Sequence, residues 1–354
     1  MEPGQRPWIS VDPDCQEHPF AREILAASQG HGRASAVARQ LPHFPGLRLS
    51  RHLGRFLKPC PGTRNYLCCG YRVLNLVLGC PYGCTYCILQ NYLEGPQIQV
   101  FVNLFDALWE VEDWLKGRRG IWRVGTGELG DSLALEPLIP FSQRLVPFFA
   151  RLPNAILELK TKSCQVGALL DLPHGGHTVI SFSLNPPLVA ARAEPLAPSP
   201  EERVWAARLC QEKGYPVGIH LDPLVMLEGW EEAYRGLLER LFGSLDPGGI
   251  LWISMGALRY PRSMHPRMVE GGLGLGEMVP GLDGKMRYLR PLRSAMFRTL
   301  ARWIRELAGP IPLLYLCMES REVWREALGF APRSMAQLDQ MFQERVRGYW
   351  SSRY

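Results

Sequence analysis

Three features of the sequence predict an α/β fold built on a mainly parallel sheet. From about Arg72 onward, apolar runs of strand length alternate with longer helix-patterned stretches. The connections between these runs are roughly 15 to 30 residues long, which suits crossover helices rather than hairpins. A cysteine-rich segment follows the first apolar run, where parallel β/α folds place their sites. The alternation alone is compatible with an open doubly wound sheet and with a full or partial β/α barrel.

The predicted strands are Val73–Leu78, Gly120–Gly125, Ala155–Lys160, Thr178–Leu184, Pro216–Leu221, Ile250–Met255 and Ile311–Met318. Each is an apolar or β-branched run bounded by turn residues. The intervening helix-patterned stretches are Leu104–Leu115, Leu135–Arg151, Gln165–Leu170, Pro200–Lys213, Trp230–Leu245 and Leu292–Leu307. Ser199 before Pro200 suits an N-cap followed by the first helical position, and Gly214 suits a helix end. Residues 1 to about 70, rich in Pro, Gly, Arg and His, read as an irregular N-terminal extension with one helix near Ala21–Gln29. The Gly- and Met-rich stretch Met264–Gly284 lacks periodicity and reads as a long surface excursion.

The chain has 354 residues, enough for one large domain with extensions or two ordinary domains. Its length allows most apolar surface to be buried without covalent staples. The ten cysteines are therefore not needed as a disulfide framework. The first residues contain no apolar signal segment, and no run approaches the roughly 18 apolar residues of a membrane span. A cytoplasmic, membrane-free chain is the expectation, with cysteines serving metal or redox chemistry.

The sharpest motif is Cys80-Pro-Tyr-Gly-Cys84-Thr-Tyr-Cys87. A looped backbone, helped by Gly83, can turn three such thiolates toward one point. Thiolates are the usual ligands of iron–sulfur clusters, and three of them leave one iron of a [4Fe–4S] cluster open. A structural zinc site with Cys68 or Cys69 as fourth ligand, and plain unliganded cysteines, are the competing readings.

The C-x3-C-x2-C spacing is that of the radical S-adenosylmethionine superfamily, and Cys80–Leu93 resembles the cluster loop of spore photoproduct lyases. A second block supports the resemblance: Phe182-Ser183-Leu184-Asn185, Glu194-Pro195, Pro198-Ser199-Pro200, Glu202-Arg203, Lys213–Gly218 and Glu228–Tyr234. It implies a partial (β/α)6 TIM-like barrel of the radical S-adenosylmethionine type, here spanning 71–260, with basic extensions over 1–70 and 261–354. It also implies a [4Fe–4S] cluster held by Cys80, Cys84 and Cys87, and cleavage of S-adenosylmethionine to a 5′-deoxyadenosyl radical. A flavodoxin- or ferredoxin-type electron donor and a thymine-dimer substrate in DNA belong to the same picture.

Carried over residue by residue, Tyr86 matches one of two tyrosines implicated in radical relay, while the other falls at Ile88. Lys162 and Ser183 align with positions that contact S-adenosylmethionine, and Asn185 stands beside them. The hydrogen-donor cysteine of the lyases falls at Glu128. Gly127-Glu128 instead resembles the element that holds the methionine ammonium in other superfamily members, and Gly plus one carboxylate suits that role. A Gly-rich loop capped by Asp131 or Ser132 is the plainer reading. Cys317, ending a late strand, is a candidate replacement hydrogen donor. His220 and Asp222 at a strand end are candidates for cofactor or substrate contact. Cys60, Cys68 and Cys69 are unassigned.

These departures leave two enzyme readings, one acting on DNA or a nucleotide-containing substrate and one on a small metabolite, peptide or RNA. A metal-bearing nucleic-acid-binding module is the non-enzymatic alternative. The net charge of +6 conceals an uneven distribution. Residues 33–72 carry eight basic and no acidic side chains, and residues 259–305 are net +7, leaving the rest at −9. The Lys285–Arg293 stretch mixes basic residues with Tyr288, which suits a nucleic-acid backbone. Two basic arms around an acidic barrel would draw in an anionic substrate.

Overall fold

The computed structural model describes residues 9–29, 46–63, 65–93, 97–136, 138–273, 277–310 and 312–353. Its strands in chain order are β1 (Ile9–Val11), β2 (Leu47–Ser50), β3 (Leu57–Pro59), β4 (Arg72–Leu74), β5 (Val77–Leu78), β6 (Ile98–Phe101), β7 (Trp122–Thr126), β8 (Ala155–Thr161), β9 (Thr178–Ser183), β10 (Val217–Leu224), β11 (Ile250–Ala257), β12 (Arg259–Pro261), β13 (Met278–Pro280), β14 (Lys285–Tyr288) and β15 (Leu313–Leu316). The main sheet has the order β15-β11-β10-β9-β8-β7-β4-β3. Seven of its strands run parallel, and β3 pairs antiparallel at the edge. Strands β8, β9 and β11 are almost wholly buried, as expected when helices cover one face and the opposite face closes on itself.

The sheet curls into a half-barrel, and side chains meeting across its inner face show it. Strands β8 and β11 are three positions apart, which in a flat sheet is about 14 Å. Yet Trp252 Nε1 on β11 donates to Glu158 Oε1 on β8 at 3.0 Å. Ser181 Oγ (2.7 Å) and His220 Nε2 (2.9 Å) reach the same oxygen from β9 and β10. Arg123 on β7 stands 3.7 Å from the other carboxylate oxygen. Its guanidinium lies over the rings of Tyr71, Trp252, Tyr315 and Phe342 at 4.8, 5.1, 5.8 and 4.0 Å. An aromatic cage attracts a desolvated cation. Burial opposes the Glu158 charge, but Arg123 and the hydrogen bonds outweigh it and hold the carboxyl well below its ordinary range.

The helix Met335–Arg353 closes the lower end of the barrel, a feature the sequence reading did not contain. Leu338, Phe342, Val346 and Tyr349 form its buried stripe. Arg345 donates to the carbonyls of Gly248 (3.1 Å) and Ile250 (2.8 Å), at the start of β11. Trp350 stacks on His177 with ring centroids 4.3 Å apart, below β9.

Several sequence expectations are corrected. The run Val73–Leu78 divides: β4 enters the barrel, whereas β5 leaves it to pair antiparallel with β6. The N-terminal segment is not irregular throughout. Strands β1 and β2 join β6 and β5 in a separate sheet, and the helix runs Pro19–Gln29. The excursion over 264–284 contains a helix, His265–Glu270, and feeds an antiparallel sheet, β12-β14-β13. Gln165–Leu170 forms turns, since Ser163 Oγ and short-range carbonyls take its amides before a helix can nucleate. The stretch Leu135–Arg151 is helical only over Ser142–Phe149. Pro140 cannot donate within a helix, and the Glu136 carboxyl takes the Ser142 amide (3.1 Å) and hydroxyl. Among the described residues, no helix is long and apolar enough to cross a membrane.

Burial raises the Glu136 carboxyl from 4.5 to about 8 against the lowering effect of its Ser142 bonds. A carboxyl with a raised folded-state value keeps its proton when the unfolded chain has lost it, so stability falls as pH rises between those two values. Glu136→Gln should remove that fall. Urea unfolding of both proteins from about pH 5 to pH 8 should show the variant gaining on the parent by a few kcal/mol, on the order of 1.4 kcal/mol per unit.

Candidate active site

The upper end of the barrel, where its parallel strands finish, gathers most of the sequence-predicted residues. The loop holding Cys80, Cys84 and Cys87 leaves β5 through Gly79, whose amide donates to Leu129 O at 2.7 Å. That bond seats the loop beside the segment following β7. Gly83 sits at φ +55°, in the left-handed region that lets the loop turn back between the first two cysteines. Cys84 and Tyr86 are buried, and Cys80 and Cys87 are half-buried. The loop is braced by Thr85 N donating to Ala193 O (2.9 Å) and Gln90 Nε2 donating to Cys84 O (2.6 Å).

Sequence reasoning quoted Glu194, Arg203 and Tyr234 only as part of the resemblance, and here they are the centre of the site. Arg203 and Glu194 are both fully buried and paired at 2.6 Å. Arg203 also donates to Ser183 O (3.0 Å) and Pro198 O (2.8 Å). Its position follows from local chemistry. Ser199 and Glu202 form a reciprocal capping box that starts the helix Pro200–Glu212, and the next residue on that turn is Arg203. Tyr86 donates its hydroxyl to the Glu194 carboxylate. Asn185 Nδ2 donates to the same oxygen at 2.9 Å, while Asn185 Oδ1 accepts from Tyr234 at 3.0 Å. Lys162 Nζ stands 3.9 Å from Glu194 and 5.6 Å from the centre of the Tyr86 ring. Burial pushes the Glu194 carboxyl upward, but Lys162, Arg203 and these hydrogen bonds hold it below the ordinary carboxylate range.

The donor set fits a [4Fe–4S] cluster: three thiols and no oxygen ligand within one short loop at strand ends. Lys162 is close enough to Cys84 to oppose the rise, to about 12, that burial imposes on its thiol. Among the described residues no three His, Cys, Asp or Glu side chains are grouped as ligands of a metal ion. The fit therefore rests on donor chemistry and on the loop's place in the barrel.

Facing this loop, Gly127 ends β7 at φ +94°, and a Cβ there would stand 2.5 Å from Lys160 O. Only glycine lets the two chains approach so closely. Asp131, one of the two caps predicted for the segment, accepts from the amides of Leu133 (3.0 Å), Ala134 (2.9 Å) and Lys162 (2.7 Å). Glu128 pairs with Lys160 Nζ at 3.3 Å and accepts from the Tyr71 hydroxyl. Those partners outweigh burial and hold its carboxyl low, so it is charged at neutral pH. On the opposite wall Arg259 grips Asp222 with two bonds of 3.0 Å, and its Nη2 donates to Cys317 Sγ at 3.6 Å. His220 lies lower, its ring nitrogens on Glu158 (2.9 Å) and Ser254 Oγ (2.6 Å). Burial lowers its pKa most, so it is the neutral ring, donating through Nε2.

The expected basic arms are partly consumed inside the protein. Arg287 pairs with Asp283 at 2.7 Å and Arg293 with Glu319 at 3.0 Å, both arginines being buried. Arg287 closes the β13–β14 hairpin on itself and donates to Met318 O at 3.2 Å beyond β15, and Arg293 ties the helix Arg290–Ala308 to Glu319, so neither faces a phosphate backbone. Exposed Arg48 pairs with half-buried Asp12 at 2.8 Å, and Arg72 lies 4.7 Å over Trp114. Arg33, Arg39 and Arg64 are outside the described residues.

Removing one partner of a buried ion pair strands the other, at a cost of about 3–5 kcal/mol. Glu194→Ala should lower the urea midpoint accordingly, and Glu194→Gln combined with Arg203→Met should recover much of the loss. An Ala variant within about 1 kcal/mol of the parent would show that the pair carries little of the fold.

Comparison with known proteins agrees with this geometry. The sequence model described as spore photoproduct lyase matches residues 69–252. The spore photoproduct lyase of Bacillus subtilis is 27% identical over 256 residues, spanning 67% of this chain and 73% of the relative. That of a Geobacillus species is 31% identical over 258 residues, spanning 70% and 76%. Among solved structures, a spore photoproduct lyase variant superposes with a TM-score of 0.74 at 22% identity, covering 89% of this chain and 99% of the other. Another, with bound AdoMet and dinucleoside spore photoproduct, gives 0.73 at 22% identity over the same shares. At that identity the likeness is one of fold, and the half-barrel is confirmed by it. The match over half the chain, together with a relative above 30% identity, shows that this chain belongs to the spore photoproduct lyase family.

Proposed function

We propose that the chain is a radical S-adenosylmethionine enzyme acting on DNA or another nucleotide-containing substrate, with a lyase-type photoproduct repair as its reaction. One observation carries this reading: in a chain of this family, the three thiols sit on the loop at the upper end of a parallel half-barrel, anchored through Tyr86 to the buried Glu194–Arg203 pair. Cys80, Cys84 and Cys87 would hold the [4Fe–4S] cluster. When bound, the cluster supplies the electron that cleaves S-adenosylmethionine to methionine and a 5′-deoxyadenosyl radical.

The remaining tasks fall to the chain's own groups. The Glu128 carboxylate, next to the close-packed turn at Gly127, is an acceptor for the methionine ammonium. Lys162, at the end of β8 and 3.9 Å from Glu194, suits the methionine carboxylate. Ser183 and Asn185 line the end of β9, and Asn185 is held by Tyr234 so that its orientation is fixed. His220 ties the floor of this chamber to Glu158. Tyr86, bonded to an ionised carboxylate, is placed either to pack against the adenosine or to pass a hydrogen atom. Cys317, across the chamber and held by Arg259, is the thiol we assign to final hydrogen return, because the position occupied by that thiol in the resembling lyases is Glu128 here. Electrons would come from a flavodoxin- or ferredoxin-type protein.

A second reading keeps the radical chemistry and changes the substrate to a small metabolite, peptide or RNA. The observation favouring it is that Glu128 is an ion-paired carboxylate and position 88 is Ile, so neither can relay a hydrogen atom.

Anaerobic loading with iron and sulfide, followed by dithionite and S-adenosylmethionine, should yield 5′-deoxyadenosine and methionine. Cys84→Ala should abolish this. Added dinucleoside spore photoproduct should be converted to thymidine units, and Cys317→Ala should slow that conversion about tenfold or more, while leaving 5′-deoxyadenosine formation intact. Cleavage of S-adenosylmethionine with the photoproduct untouched would select the second reading. No 5′-deoxyadenosine from cluster-loaded protein would overturn both.

A further inference from the structure

Outside the cluster loop the segment between β3 and β4 holds a second group of thiols. Cys60 and Cys68 have their sulfurs 3.8 Å apart, with the Cys68 thiol donating to Cys60 Sγ. They are eight residues apart in sequence, and both ends of the intervening loop are fixed by backbone bonds. Cys60 N donates to Tyr71 O at 2.9 Å, and Leu67 N donates to Glu319 O at 2.9 Å. The loop is also fastened to hairpin β13–β14. Thr63 Oγ1 donates to Asp283 at 2.8 Å, and the Arg287 guanidinium lies 4.2 Å over the Tyr66 ring. A Cβ at Gly62 would lie 3.5 Å from Cys68 Sγ, so the loop folds closely around the pair.

We propose that Cys60 and Cys68 are a reversible dithiol–disulfide site that exchanges with low-molecular-weight disulfides. A bond of about 2.05 Å needs the two sulfurs to close by less than 2 Å, a displacement that side-chain rotation supplies while the backbone stays anchored. Cys60 is half-exposed and Cys68 is buried, so the entering disulfide meets Cys60 first. The Cys60 thiolate attacks one sulfur of that disulfide, the S–S bond breaks, and one small thiolate leaves. The Cys68 thiolate then displaces the second small thiol from Cys60. The two cysteines lose two protons and two electrons, and the external disulfide is reduced to two thiols.

The neighbouring thiols do not compete well. A Cys68–Cys69 bond between adjacent residues closes a small ring that strains the intervening peptide. Cys69 is as buried as Cys68, so an entering disulfide does not meet it first. Burial holds Cys69 well above the ordinary thiol range, after the hydrogen bond with Cys68 that contributes most. The consequence of oxidation is mechanical: the loop that clamps β13–β14 to the barrel mouth is locked across its base. Cys60 reports to Tyr71, and Tyr71 to Glu128, so the latch abuts the wall of the proposed chamber.

The test uses the full chain with its cluster loaded, held anaerobically in mixtures of reduced and oxidised glutathione. Free thiols are alkylated and the digest is read by mass spectrometry, a readout independent of S-adenosylmethionine cleavage. The expected result is a peptide pair joined through Cys60 and Cys68, formed in the oxidising mixtures and lost on adding dithiothreitol. Cys60→Ser should eliminate it and leave Cys68 alkylated, while Cys210→Ser should not affect it. Full alkylation of both residues in the most oxidising mixture would overturn the proposal. So would Cys68 joined to Cys69, or Cys60 carried only as the glutathione adduct.

Discussion

The site depends on one buried ion pair, Glu194 with Arg203. Neither side chain has any exposure, and two isolated charges at that depth would each cost several kcal/mol. The structure offsets this by giving both ions several partners, while Glu194 Oε2 and Arg203 Nη2 meet each other at 2.6 Å. Arg203 is closed by two backbone carbonyls, and Glu194 by Tyr86, Asn185 and the nearby Lys162. Those partners come from the cluster loop, the end of β9, the start of a helix and the end of β8. Satisfying one pair of charges thus fixes the position of four elements around the three thiols. The pairing is a constraint on geometry as much as a source of stability.

A second electrostatic centre, lower in the barrel, performs the equivalent task for the scaffold. Arg123 and Glu158 stand side by side on neighbouring strands β7 and β8, the cation inside an aromatic cage and the anion under three donors that include Trp252 from across the curled sheet. Phe342, on the final helix, completes the cage. The helix therefore closes the base of the barrel and supplies part of the environment that keeps Arg123 charged. Two further ion pairs, Glu128–Lys160 and Asp222–Arg259, stand in the same half-barrel. Each is a carboxylate with its own cation, so this region offers directional hydrogen-bonding groups without a large excess of either charge.

What the sequence made legible was whatever short-range pattern determines. The seven barrel strands were readable because strands buried on both faces are continuous apolar runs. The cluster loop was readable because its spacing is chemically specific, and the helix at Pro200 because Ser199, Pro200 and Gly214 mark its two ends. Glu194, Arg203 and Tyr234 were visible only as letters of a resemblance, since their function arises from contacts between residues separated by up to about a hundred positions, such as Tyr86 with Glu194. The same holds for Arg287 and Arg293. Their charges suggested a nucleic-acid surface until buried Asp283 and Glu319 were found opposite them. The final helix was missed because its apolar stripe is one residue wide among Gln, Glu and Arg. Strand β5 was missed because an apolar run does not announce that it changes sheets midway.

Three thiols on the loop at the upper end of the half-barrel would leave the fourth iron of a cluster to the cosubstrate. Mössbauer spectroscopy of the anaerobically loaded, iron-enriched chain tests that most directly. It should show a [4Fe–4S] cluster in which one iron responds to added S-adenosylmethionine while the other three do not. A loaded chain whose irons are all equivalent and indifferent to S-adenosylmethionine, or one that takes up a single tetrahedral metal in place of a cluster, would contradict it.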